Sequence, residues 1–156
     1  MTKNSEITFL RTYKDSIYYF NILDRNMGYC LRWCMRSGRN NRVSEKWLKL
    51  TFDQKFKKIL LLAKKASSEA AFEVWSQKME ECRRMRNIIV HGHWEWKDFL
   101  ERPIHYHAPE PFNQEGNFTV EEFQDQLSLL HEASELFSKL RTVLEEATDQ
   151  EAQHVA

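Results

Sequence analysis

Arg86, Asn87 and His91 are the residues of this chain whose types and spacing suit chemistry. They lie in the run Arg86-Asn87-Ile88-Ile89-Val90-His91-Gly92. Cleavage of RNA by its own 2′-hydroxyl needs a base to take that proton and an acid to protonate the leaving 5′-oxygen. Imidazole is the side chain best suited to either task near neutral pH. The crowded phosphorane also needs a cation, and the guanidinium offers a planar, bidentate fork. No metal is required for these steps. On a helix, successive residues are turned by about 100°, so Asn87 and His91 share a face. Arg86 is then about 140° from His91 around the axis. That spacing fits a site shared by two subunits better than a self-contained one. Gly92 is the residue type expected just past a helix end. It would leave His91 in the last turn, where unpaired carbonyls favour the imidazolium. Singly, Arg86 reads as a surface residue of the run Arg83-Arg84-Met85-Arg86, and His91 as a cation closing a helix. Their shared register is what points to catalysis.

The run resembles the signature of the HEPN superfamily: an Arg, usually a polar residue next, then a His after four to six intervening positions. Here four intervene, and Asn87 is the polar residue. The resemblance extends at fold level over roughly Glu6 to Ala147 and implies a four- to five-helix bundle with the motif late in the third helix. It further implies a metal-independent endoribonuclease in a toxin–antitoxin or phage-defence setting, with a composite site at a dimer interface. On that reading Arg86 stabilises the transition state, His91 transfers protons and Asn87 orients. The expected partners are RNA, a second copy joined through the motif-bearing face, and an antitoxin or defence-system protein. No cofactor and no metal are expected. The chain departs from toxins whose His is closely followed by a modified Tyr, since Gly92-His93-Trp94-Glu95-Trp96 holds none. The alternative is a catalytically inactive HEPN-like module that dimerises or binds RNA or a partner.

Arg83, His93 and Trp94 are further candidates for holding RNA. Trp94 and Trp96 could stack unpaired bases or pack the segment onto helices. The basic stretch Arg36, Arg39, Arg42, Lys46 and Lys49 reads either as a phosphate contact or as a solvated helix end and loop. His91-Gly92-His93 and His105-Tyr106-His107 are two His-x-His pairs. On extended strands each would put two rings on one face and suit a transition metal. No Cys or acidic pattern reinforces that use.

The elements that must position these residues are helical. Four Gly and three Pro in 156 residues are too few for the many turns of a sandwich or barrel. Leu10, Tyr13, Ile17, Phe20, Met27, Leu31 and Cys34 give one stripe for a helix over Glu6 to Arg36, ended by Ser37-Gly38-Arg39-Asn40-Asn41. Residues Asn40 to Leu50 read as a connection. A second helix fits Phe52 to Ala66, capped by Thr51, with Phe52, Phe56, Ile59, Leu60 and Ala63 inward. The third follows Ser68 as cap, presents Ala71, Trp75, Cys82, Met85 and Ile89, and stops at Gly92. Residues 93 to 118 carry all the prolines and predict an irregular insertion or a short β-hairpin turning around Asn113 to Asn117. Thr119-Val120-Glu121-Glu122 is a capping box. It opens a last helix with Val120, Phe123, Leu127, Leu130, Phe137, Leu140 and Leu144 inward, fraying after Ala147. The expectation is one all-α domain over 1–148, a four-helix antiparallel bundle, with a polar tail over 149–156.

The net charge of zero hides a strong asymmetry. From Arg25 to Lys65 there are 12 Lys and Arg against Glu45 and Asp53, and from Glu110 onward 11 Asp and Glu against Lys139 and Arg141. The two segments either neutralise each other within a bundle or meet different partners. Cys30, Cys34 and Cys82 form no disulfide framework. Met1 to Ile7 lacks an apolar stretch of the signal-peptide kind. The longest aliphatic run, Ile59 to Ala63, is too short to span a bilayer. A cytoplasmic protein without membrane contact is expected.

Overall fold

The structure, a computed structural model, describes residues 2–35, 45–94 and 104–155. Among them are four α-helices: α1 (Thr2–Cys34), α2 (Phe52–Lys65), α3 (Glu69–His91) and α4 (Val120–Val155). A 3-10 turn occupies Glu45–Lys49, within the expected connection. Strands β1 (His93–Trp94), β2 (Ile104–Ala108) and β3 (Gln114–Phe118) form an antiparallel sheet in that order, between α3 and α4. The chain is therefore mostly helical with a small sheet inserted before the last helix, which is consistent with a helical bundle. The turn expected at 37–41, Arg36, Arg39, Arg42 and Trp96 lie outside the described residues.

The helix ends follow local chemistry. Thr51 accepts from the Gln54 backbone N–H, and Gln54 Oε1 accepts from the Thr51 N–H, a capping box that starts α2. Thr119 and Glu122 make the same reciprocal pair at α4, at 3.1 and 2.8 Å. Between α2 and α3 the chain closes with a Schellman motif: Ser68 N–H donates to Ala63 O and Ser67 N–H to Lys64 O. The left-handed position is filled by Ser67, at φ 54°, where glycine would be usual. Ser68 precedes α3 as expected, but its hydroxyl donates back to Ala66 O instead of capping the new helix.

Contacts gather in two compact units, Met1–Phe20 with Lys78–Glu132, and Asn21–Gln77 with Ala133–Ala156. The second unit is built on Trp75, fully buried and ringed by Phe56, Phe72 and Phe137, with Phe137 stacked at 5.0 Å. Leu23, Met27, Leu31, Ile59 and Leu144 complete it. Lys55 is also buried there, its ammonium 2.8 Å from Asp24. In the first unit Phe9, Trp94, Tyr106, Phe118 and Phe123 pack ring to ring, with Phe9 and Phe123 stacked at 5.1 Å.

Three expectations need correction. The inward stripe of α1 does not include Leu10 and Ile17, which are exposed, while Phe9, Thr12 and Ser16 are buried; Tyr13 is half-buried, and Phe20, Met27 and Leu31 are buried as expected. Thr12 and Ser16 donate their hydroxyls to Thr8 O and Thr12 O, so each polar group is satisfied within its own helix and can be enclosed. On α3, Ala71 is exposed and Phe72 takes its place. Finally, α4 does not fray after Ala147 but stays helical to Val155, so the expected tail is mostly helix. Helix-compatible residues such as Glu151, Ala152 and Gln153 carry it.

Candidate active site

All three motif residues lie on α3, which remains helical through His91. Asn87 and His91 are one turn apart and share a face, as the spacing requires. Arg86 is turned away from them around the axis, so one copy of the chain does not bring guanidinium and imidazole onto the same side of this helix. Arg86 and Asn87 are half-buried and His91 is exposed. Val90 beside it is an exposed aliphatic.

Gly92 ends the helix for a steric reason. Its N–H donates to Ile88 O at 2.8 Å, and a Cβ at this position would collide with that same carbonyl oxygen. Its φ is not left-handed, so close approach, not backbone freedom, calls for glycine. The next carbonyl, Ile89 O, accepts from the Tyr13 hydroxyl at 3.2 Å. Two of the last-turn carbonyls are thus satisfied, and His91 sits at the negative end of the helix dipole.

The His91 ring stacks on Phe112, with centroids 4.4 Å apart and planes 14° from parallel. Phe112 belongs to the connection between β2 and β3. That turn is closed by Phe112 N–H and Asn113 N–H donating to Pro109 O, with Asn113 at φ 46°. The sequence reading missed Phe112. Its signal was present: an aromatic residue held between two prolines and a turn-forming Asn. The expected hairpin exists, but its turn is residues 109–113, and Gln114 to Asn117 are strand.

The sheet sorts the remaining candidates by parity. Trp94, Ile104, Tyr106 and Phe118 face inward, and His93, His105, His107, Glu115 and Asn117 face outward. His93 pairs directly across from His107. His105 binds Glu115 through Nε2 at 3.1 Å and Asn117 through Nδ1 at 3.3 Å. The first His-x-His pair is split, with His91 on a helix and His93 on a strand. No three His, Cys, Asp or Glu side chains among the described residues are placed to hold a metal ion. Trp94 is half-buried and packed among Phe9, Tyr13, Tyr106, Phe118 and Phe123 in tilted and edge-on contacts. Arg83 binds both carboxylate oxygens of Glu80 at 3.0 Å.

Elsewhere among the described residues, the cysteines are the other groups of note. Cys82 is buried, and desolvation pushes its thiol up to about 12. Cys30 and Cys34 share a hydrogen bond, which raises the Cys30 thiol and lowers that of Cys34. Among the described residues no helix is long and apolar enough to cross a membrane. No protein-family model, no curated protein and no solved structure matches this chain.

Proposed function

We propose that this protein is a metal-independent endoribonuclease of the HEPN type, working in the cytoplasm as a homodimer. The observation that carries the reading is the register of Arg86, Asn87 and His91 at the closing turns of α3, with His91 exposed on a Gly-terminated helix end. His91 exchanges protons with the 2′-hydroxyl and the 5′-oxygen, Arg86 neutralises the phosphorane, and Asn87 orients His91 or the phosphate. A two-fold axis near the motif-bearing face brings Arg86 of one copy toward His91 of the other, which the 140° separation on one helix calls for. Exposed Val90 gives that face an apolar contact. His93, exposed next to the motif, and Arg83 would contact the RNA backbone. Trp94 supports the site from within the packing. A toxin–antitoxin or phage-defence role fits this chemistry.

Purified protein cleaves single-stranded or looped RNA with EDTA present. Arg86→Ala and His91→Ala each abolish cleavage while leaving the helical circular dichroism unchanged. Retained cleavage in both variants, or intact RNA with the parent protein, replaces this reading with a non-catalytic binding module.

A further inference from the structure

A groove of about 900 Å³ runs between α2 and the first turns of α3, in the unit formed by residues 21–77 and 133–156. Its floor is Ala63 and Phe72, both nearly fully buried, and Leu60, Leu61 and Ala70 form its apolar walls. Leu61 is 65% exposed, which is costly for a large aliphatic side chain in water.

The rim of the groove carries charge of one sign on each wall. Lys57 and Lys64 line the α2 side, and Glu69 and Glu73 line the α3 side. None of the four forms an ion pair among the described residues. A basic peptide would be repelled by one wall and an acidic peptide by the other. A surface that carries both signs in antisymmetric order, and both a protruding Leu and the hollow to receive it, is complementary to itself. That is the requirement for an isologous contact about a two-fold axis.

We propose that this groove is a self-association surface, occupied by the same groove of a second copy of the chain. The three-residue connection makes α2 and α3 antiparallel neighbours. A two-fold axis along the groove therefore lays α2 of each copy antiparallel against α3 of the other. Leu61 of each copy enters the partner's hollow over Phe72, and Lys64 of each meets Glu69 and Glu73 of the other. The contact is a four-helix arrangement with an apolar centre and an ionic rim. It is independent of the motif and of its catalytic reading.

The test is the mass of the species in solution, by analytical ultracentrifugation over a concentration series. Leu61→Glu places a carboxylate in the apolar centre, and the expected result is a halved mass with association weakened at least about tenfold. Lys64→Glu weakens association by a similar factor, and the double variant Lys64→Glu with Glu69→Lys associates more tightly than Lys64→Glu alone, since the pair between positions 64 and 69 re-forms with its signs exchanged. Circular dichroism confirms that each variant is folded. A parent chain that stays monomeric at high concentration overturns the proposal. So does a mass unchanged by Leu61→Glu, or a double variant no better than the single one. The change in mass on Leu61→Glu reads the groove, since Leu61 is remote in sequence from the motif, and RNA cleavage reads the motif, so each claim can fail without the other.

Discussion

Trp75 and Trp94 stand at the centres of two different kinds of packing. Each buries an indole N–H that finds no hydrogen-bond partner among the described residues. Trp75 is fully buried, with Phe56, Phe72 and Phe137 packed on it from helices. Trp94 comes from a two-residue strand, stays half-buried, and is held by rings from α1, the sheet and α4. The difference teaches where the insertion matters. The unit around Trp75 has a helical core of its own. The unit around Trp94 takes part of its core from the insertion, and the same insertion supplies Phe112 to His91. The geometry at His91 and the packing of the insertion are therefore coupled, while the Trp75 core belongs to the other unit.

Mutations can break or sharpen that contrast. The largest effect is expected for Trp75→Ala, which should cost about 3–5 kcal/mol in denaturant unfolding. Trp94→Ala should cost less, because the ring is only partly enclosed, yet it should reduce RNA cleavage more than the folded fraction explains. Equal stability losses with unchanged cleavage would remove the distinction between the two cores. Asp24→Ala should come next, at roughly 3 kcal/mol, because it strands the buried Lys55 ammonium. Lys55→Met should be much milder, and chemical denaturation of the two variants compares them directly.

Phe112→Ala should leave the unfolding midpoint almost unchanged and lower cleavage about tenfold, a loss of roughly 1.4 kcal/mol in transition-state stabilisation. It should also abolish the ring-current shift that the parallel stack imposes on His91 protons in NMR spectra, and Phe112→Tyr should restore both. The smallest effect is expected at Ser67, where Ser67→Gly should stabilise by about 0.5 kcal/mol by relieving a left-handed non-glycine residue.

The helices and their caps were legible because they rest on local signals. The Thr119 and Thr51 caps, the Gly92 stop and the 3-4 spacing of Phe123, Leu130, Phe137 and Leu144 each involve residues within a turn or two. The buried face of α1 was not legible, because Thr12 and Ser16 look polar until their hydroxyls are seen bonded within the helix. The sheet register was equally hidden: a turn at 109–113 places Gln114 to Asn117 in a strand, while their composition reads as a turn. The motif itself was legible as a spacing. Its stack on Phe112 was not, since that contact joins residues 21 positions apart in sequence, beyond the reach of any local periodicity.

The chemistry of the cut ends tests the catalytic claim most directly. EDTA-treated protein is incubated with a 5′-labelled single-stranded RNA, and the product termini are identified by mass spectrometry. Attack by the 2′-hydroxyl predicts 2′,3′-cyclic phosphate and 5′-hydroxyl ends from the parent protein, and uncut RNA from His91→Ala. Products bearing 3′-hydroxyl and 5′-phosphate ends, or cleavage that disappears with EDTA and survives His91→Ala, would contradict the account.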